Sequence, residues 1–195
     1  INTAKNVLDG AFIFGFPNHN SGPIFLNKLG FRKIDLAKIN IPVKLFSGLF
    51  LDFYLKSIKT NYEFSVENTF LPIESELIDL KTREYGDKIK TYGSYNNLVW
   101  GKIVKRHTKI GMVSFFCIGG IQVNKPHLLS PLLKKIVKET KVDFIQIIAS
   151  SNSSLWELFR VKTPAPKTEP LIIYDLKLDT SNSRFNFING IKDVF

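Results

Sequence analysis

The chain has 195 residues, 44% hydrophobic and 23% charged, with 27 Lys and Arg against 17 Asp and Glu for a formal net charge of +10. These figures fit a globular protein. The one cysteine, Cys117, excludes an internal disulfide framework and fits a reducing, cytoplasmic compartment, and no window supplies the roughly 18 uninterrupted apolar residues of a membrane span. The positive charge favours an anionic partner, whether nucleotide cofactor, nucleic acid or membrane surface, and does not choose among them.

Residues 1–8 read as the end of a helix, and no signal peptide explains the start at Ile1. The run 12–16 is short, aromatic and bounded by Asp9-Gly10 and Pro17-Asn18, which predicts a buried strand. Ser21 is placed to cap a short helix, Pro23 to sit in its first turn, Ile24, Phe25 and Leu29 to share a face, and Gly30 to stop it in the left-handed region. Residues 31–45 alternate loosely and carry Pro42, as an edge strand running into a connector does. A helix over 45–58 and a strand over 62–70 follow, with a break at Leu71-Pro72.

The spacing of Leu77, Leu80, Tyr85, Ile89, Tyr92, Tyr95, Leu98 and Ile103 predicts one or two helices over 74–107, interrupted near Gly86 and Gly93. Strands are expected over 110–118 and 121–123, with a turn or bulge at Gly119-Gly120. Ser130-Pro131 opens a helix whose apolar stripe is Leu129, Leu132, Leu133, Ile136 and Val137, with Lys134, Lys135 and Lys138 facing water. A buried strand over 142–149, a helix led in by Asn152-Ser153, a proline-rich loop over 164–170 and strands over 171–178 and 184–188 complete the chain. Cys117, between Phe116 and Ile118, reads as a core filler, and Trp100 and Trp156 as packing residues. The basic groups 102–109 and 134–141 read as solvated faces.

The strand, Asn-rich turn, helix and Leu-Gly-Phe ending over residues 9–34 (DGAFIFGFPNHNSGPIFLNKLGFRKI) resembles the last αβ unit of the Gcn5-related N-acetyltransferases (GNAT). Gly15 to Asn18, Gly-Phe-Pro-Asn, is most similar to bacterial acetyltransferase-like proteins found with surface-polysaccharide genes. Without gaps, FIFGFPNHNS at 12–21 aligns with FIQIIASSNS at 144–153, and the order of elements matches as well. The expected fold is therefore α/β, a mixed sheet with flanking helices: the C-terminal part of one GNAT-like unit (1–45), a connector (46–72), and a second, degenerate unit (73–195). A chain entering in mid-unit is expected to be the later part of a longer one, and strand 12–16 to lie on an open sheet edge. A second copy, as in a homodimer, would cover that edge, or the second unit would rebuild the sheet.

The resemblance implies an acyl-coenzyme A-dependent N-acyltransferase, with acetyl-coenzyme A as donor, no metal, and a small amine acceptor such as an amino sugar. In that family the donor enters between two splayed parallel strands and its pyrophosphate meets backbone N–H groups at a helix start. The glycine-bearing pyrophosphate loop is missing here. Its counterpart, VNKPHLLSPLL at 123–133, has no glycine and is short, which argues against usual coenzyme A binding by the second unit. In the first unit Asn18, Asn20 and Ser21 stand where donor contacts are expected, unless they only cap the helix. Leu26 replaces the family's tyrosine acid, leaving His19 as the titratable group of the turn. His107 and His127 have no ligand partners at metal spacing. Two other readings remain: a noncatalytic GNAT-like binding or scaffold protein, favoured by Leu26 and the missing loop, and an aminoacyl-tRNA-dependent transferase with the two-unit layout of the Fem family, favoured by charge alone.

Overall fold

The computed structural model describes residues 12–18, 20–44, 49–56, 69–70, 74–94, 97–109, 111–124, 126–165, 171–176, 179–180 and 184–185. In chain order the elements are β1 (Phe12–Gly15), α1 (Gly22–Lys28), β2 (Arg32–Ile34), β3 (Leu36–Pro42), α2 (Leu49–Tyr54), β4 (Thr69–Phe70), α3 (Glu74–Tyr85), β5 (Ile89–Ser94), β6 (Asn97–Thr108), β7 (Gly111–Val123), α4 (Leu129–Thr140), β8 (Phe144–Ser150), β9 (Thr163–Pro164), β10 (Leu171–Asp175) and β11 (Arg184–Phe185). Short 3-10 turns occupy Gly86–Lys88, Pro126–Leu128 and Ser154–Leu158.

The larger sheet is mixed and runs β5-β6-β7-β8-β3-β9. β5, β6 and β7 form an antiparallel meander, α4 crosses over, and β8 returns parallel to β7. On its other side β8 is antiparallel to β3 along the whole of that strand, Leu36 opposite Ser150 and Pro42 opposite Phe144. The smaller sheet runs β1-β10-β2, all antiparallel, and β4 pairs with β11. Both larger sheets thus take strands from the two ends of the chain: β3 completes the sheet of the later strands, and β10 lies between β1 and β2.

Alternation explains the core. Ala37, Ile39 and Ile41 of β3, Phe116 and Ile118 of β7, and Ile145 and Ile147 of β8 point to one side of the sheet. There they meet Leu129, Leu133 and Ile136 of α4 and Leu155, Trp156 and Leu158 of the last 3-10 turn. Burying each such side chain contributes about 1.5–3 kcal/mol before conformational entropy is counted. The stripe on α4 is the predicted one, and Lys141 closes the helix with φ 51°.

Several expectations need correction. Residues 12–15 do form a strand, but it is not buried: Phe14 is 43% exposed, because β1 is the edge of a small sheet. Residues 31–45 hold two strands: β2 is an edge strand as expected, whereas β3 lies between β8 and β9, with Pro42 tolerated because it ends the strand. The helices expected across 89–107 are instead β5 and β6. Ile89, Tyr92, Tyr95 and Leu98, each three apart, mimic helical spacing, but Gly93 at φ 107° packs so close to the Asn97 carbonyl that only the hairpin pairing of β5 with β6 accounts for it. The two expected strands around Gly119-Gly120 are one strand with a bulge. Ser21 and Ser130 make no capping bond: Ser21 donates to Asn18 Oδ1, and Ser130 lies inside the first turn of α4. The helix after Ser153 is only a 3-10 turn, and here Ser153 does cap, accepting from Leu155 N–H. Ile24 and Leu29 are largely exposed on α1, while Gly30 at φ 72° ends it as expected. The expected strand over 62–68 and the helix start at 45–48 lie outside the described residues.

Candidate functional site: a forked strand pair and a basic cavity

β7 and β8 are paired over three registers only, Phe115 with Phe144, Phe116 with Ile145, and Cys117 with Gln146. Beyond them each strand stays with its outer neighbour, β7 with β6 as far as Val123 and β8 with β3 as far as Ser150. The two inner strands therefore part. Among the described residues the facing edges of 118–123 and 147–149 have no strand partner across the gap, so the N–H and C=O groups that point into it are open to a ligand, whereas the Ser150 carbonyl accepts from Trp156 Nε1 and from Ser153 N–H.

Two features build this fork. At its closed end, Asp143 accepts from the backbone N–H and the hydroxyl of Ser114 at 2.8 and 2.7 Å, and pairs with Lys44 at 2.7 Å. The Lys44 ammonium and the Ser114 bonds hold the Asp143 carboxyl well below the usual carboxylate range. At the point of divergence, Trp100 faces Gly120 while Gly101 faces Ile118, which leaves Gly119 as an extra residue in β7. Such a bulge bends its strand and raises its twist. The backbones are so close there that a Cβ on Gly101 would lie 2.2 Å from the Cys117 carbonyl oxygen.

The fork opens toward the start of α4, where a cavity of about 280 Å³ is lined by Asp52, Lys56, His127, Ser130 and Arg160 over a floor of Leu55, Leu129 and Leu158. Local pairing sets these residues. Leu55 bridges Phe159, Lys56 N–H donates to Leu158 O, and Arg160 N–H donates to Tyr54 O, so the end of α2 and the segment after the 3-10 turn present Lys56 and Arg160 together. The Arg160 Nε–H is held by Leu55 O at 2.9 Å. The carboxylate of Asp52 lies across the first turn of α4, accepting from Ser130 Oγ at 2.8 Å and Lys134 Nζ at 2.7 Å. Those two donors lower its pKa, the Lys134 ammonium first. A helix start favours a negative charge, and here Asp52 supplies one.

The sequence-derived residues fall elsewhere. Asn18, Asn20 and Ser21 form the turn between β1 and α1, where Asn18 Oδ1 accepts from Asn20 N, Ser21 N and Ser21 Oγ at 3.0, 2.9 and 3.1 Å. Asn18 and Asn20 are exposed. His19 lies outside the described residues. Leu26 is half-buried on α1, and His107 is exposed near the end of β6. Trp156 is buried, donating from Nε1 to Ser150 O at 2.7 Å, and Trp100 is fully buried. Sequence reasoning passed over Asp52, Lys56 and Arg160. Its one signal was an Asp interrupting an otherwise apolar stretch, and that needs the fold to acquire meaning.

Among the described residues no helix is long and apolar enough to cross a membrane, and no group of three or more His, Cys, Asp or Glu side chains could hold a metal ion. No protein-family model matches the chain, and no curated protein matches it. Among solved structures it is similar to a GCN5-related N-acetyltransferase from Anabaena variabilis ATCC 29413, with a TM-score of 0.48 and 10% identity over 90% of this chain and 48% of that one. The chain spans about half the length of that structure.

Proposed function

We propose that the protein is an acyl-coenzyme A-dependent N-acyltransferase of the GNAT type, acting on a small amine such as an amino sugar. The observation that carries this reading is the fork: a parallel strand pair joined through a helix, registered over three residues and then parted. An extended pantetheine arm, with amides of its own, suits the parted edges of 118–123 and 147–149. The basic groups Lys56 and Arg160 at the open end suit the donor's phosphates.

In the proposed reaction the acceptor amine attacks the thioester carbonyl, a backbone N–H of β7 beyond the fork stabilises the oxyanion, and the coenzyme A thiolate leaves and takes up a proton. Asn18, Asn20 and Ser21 as donor contacts and His19 as proton carrier stay a proposal that rests on the sequence resemblance alone, separate from the fork. So does the division into two GNAT-like units.

A second reading, a noncatalytic binding protein of the same shape, is favoured by Leu26 and the missing glycine loop and has one structural observation beside them. Asp52 places a carboxylate at the helix start where the donor's phosphate would sit. Incubation with acetyl-coenzyme A and a panel of amines, including glucosamine, separates the two. Release of free coenzyme A thiol together with an acetylated amine supports the enzyme; donor binding without transfer to any amine supports the binding protein.

A further inference from the structure

The sheet has a second face, away from α4. There Val113, Phe115 and Cys117 of β7 form a small apolar cluster with Val104 and Phe144. One polar chain crosses this face at the level of the fork. Arg106 Nη2 donates to Gln146 Oε1 at 3.1 Å, and Gln146 Nε2 donates to Asn40 Oδ1 at 2.9 Å. The same guanidinium nitrogen is 3.7 Å from Cys117 Sγ, and the guanidinium lies over the Phe115 ring at 5.1 Å from its centroid.

These contacts fix the charged head at a particular place. Cys117 and Gln146 are the last paired residues of β7 and β8, so a group touching both stands at the crotch of the fork. Gln146 is 5% exposed, and its amide is oriented by Asn40, which turns the carbonyl oxygen toward Arg106. Phe115 supports the planar group from below. Among the described residues Arg106 has no carboxylate partner, and its side chain reaches solvent. Burial pushes the Cys117 thiol up, while Arg106 and then Lys102, four residues earlier on the same face of β6, favour its thiolate. A pinned guanidinium with donors to spare, beside a second cation, is a receptor for a carboxylate, which it can meet with two parallel hydrogen bonds.

We propose that Arg106 recognises a carboxylate on the substrate at the crotch of the fork, carried either by the acyl group or by the acceptor amine. This rests on the acyltransferase reading above and narrows its substrate class. A neutral Gln146 oxygen is the weaker partner for a guanidinium, and an incoming carboxylate would take its place or share the fork.

The test compares the wild-type chain with Arg106→Gln and Arg106→Lys by calorimetric titration. Coenzyme A, acetyl-coenzyme A and succinyl-coenzyme A probe the acyl group; glutamate and glutamine, added with coenzyme A present, probe the acceptor. The expected result is a preference of about tenfold or more for succinyl over acetyl, or for one carboxylated amine over its amide, abolished in Arg106→Gln and reduced in Arg106→Lys. Coenzyme A itself should bind all three proteins equally. Coenzyme A binding with no preference in either arm, or a preference that survives Arg106→Gln, overturns the proposal while leaving the acyltransferase reading intact. If coenzyme A fails to bind, that reading falls, and the side-chain amide resonances of Gln146 decide on Arg106. Shifts on adding succinate or glutamate in the wild type but not in Arg106→Gln uphold carboxylate recognition; no shift ends it.

Discussion

Cys117 and Gln146 stand side by side on β7 and β8, and no later pair of residues on those strands does. The hydrogen-bonded sheet on one side of them and the open gap on the other are set by what flanks the pair. Behind it lies the Asp143–Ser114 clamp, and ahead of it the bulge at Gly119.

The bulge depends on a side-chain-free partner. Because a Cβ on Gly101 would come within 2.2 Å of the Cys117 carbonyl oxygen, β6 and β7 must separate to admit one. Gly101→Ala is expected to lower stability by about 2 kcal/mol or more, measured by urea unfolding, since backbone atoms cannot rotate away. Gly15→Ala, with nothing within 4 Å, should change it little and serves as the control.

The clamp at the closed end is expected to show itself in acid. The folded-state pKa of Asp143 is depressed, so its stabilisation is full above the unfolded value of about 3.9 and is lost as pH falls through and below it. Asp143→Asn should cost about 1–2 kcal/mol at neutral pH, mostly through the Ser114 bonds because Lys44 is solvent-exposed and screened. The gap between wild type and variant should narrow below about pH 4.5 and go on closing as the pH falls toward the depressed folded-state value. A gap that stays constant down to pH 2 would show that the carboxylate's charge contributes nothing.

Asp52 presents a different balance. Its partners Lys134 and Ser130 are on the surface, and the pair is exposed on both sides. Asp52→Asn should therefore change stability by less than about 1 kcal/mol. Removing a negative charge from the start of α4 should, however, tighten acetyl-coenzyme A severalfold, an effect that weakens as salt is raised. Weaker donor binding in Asp52→Asn would mean that the carboxylate orders the cavity and does not compete for it.

The Asn18 side-chain oxygen accepts three hydrogen bonds in the turn leading to α1. Asn18→Ala is expected to destabilise the protein by about 1 kcal/mol in thermal unfolding, as loss of a helix-start cap does. The sequence resemblance also assigns Asn18 to the donor, in which case the same variant weakens acetyl-coenzyme A binding; unchanged affinity would confine it to the turn.

Much of the larger sheet was legible in the sequence because its elements are locally consistent. The apolar stripe of α4, the run FIQIIAS of β8 and the glycine pair in β7 each carry their structure in their own spacing. The hairpin of β5 and β6 was not, since Ile89, Tyr92, Tyr95 and Leu98 fall at three-residue intervals that suit a helix and only the contact of Gly93 with Asn97 excludes one. The exchange of strands between the two sheets was illegible for a different reason. Pairing of Leu36 with Ser150, or of Phe12 with Asp175, joins residues more than a hundred positions apart, and no local pattern records it. The site followed the same division. Asn18 and Ser21 form a turn motif that local sequence marks by itself, apart from the cavity, whereas Lys56, Arg160 and Arg106 gain their neighbours only from the fold. In hindsight two cues existed: Lys102, Val104 and Arg106 alternate on one face of β6, and Gln146 is the single amide in an apolar strand.

Calorimetric titration of acetyl-coenzyme A into the wild-type chain and into Lys56→Ala/Arg160→Ala tests the central claim most directly. The fork and its basic cavity predict saturable one-to-one binding by the wild type, weakened about tenfold or more in the double variant by the loss of two phosphate-facing cations. Absence of binding by the wild-type chain, or equal binding by the double variant, would contradict the assignment of this site to the donor.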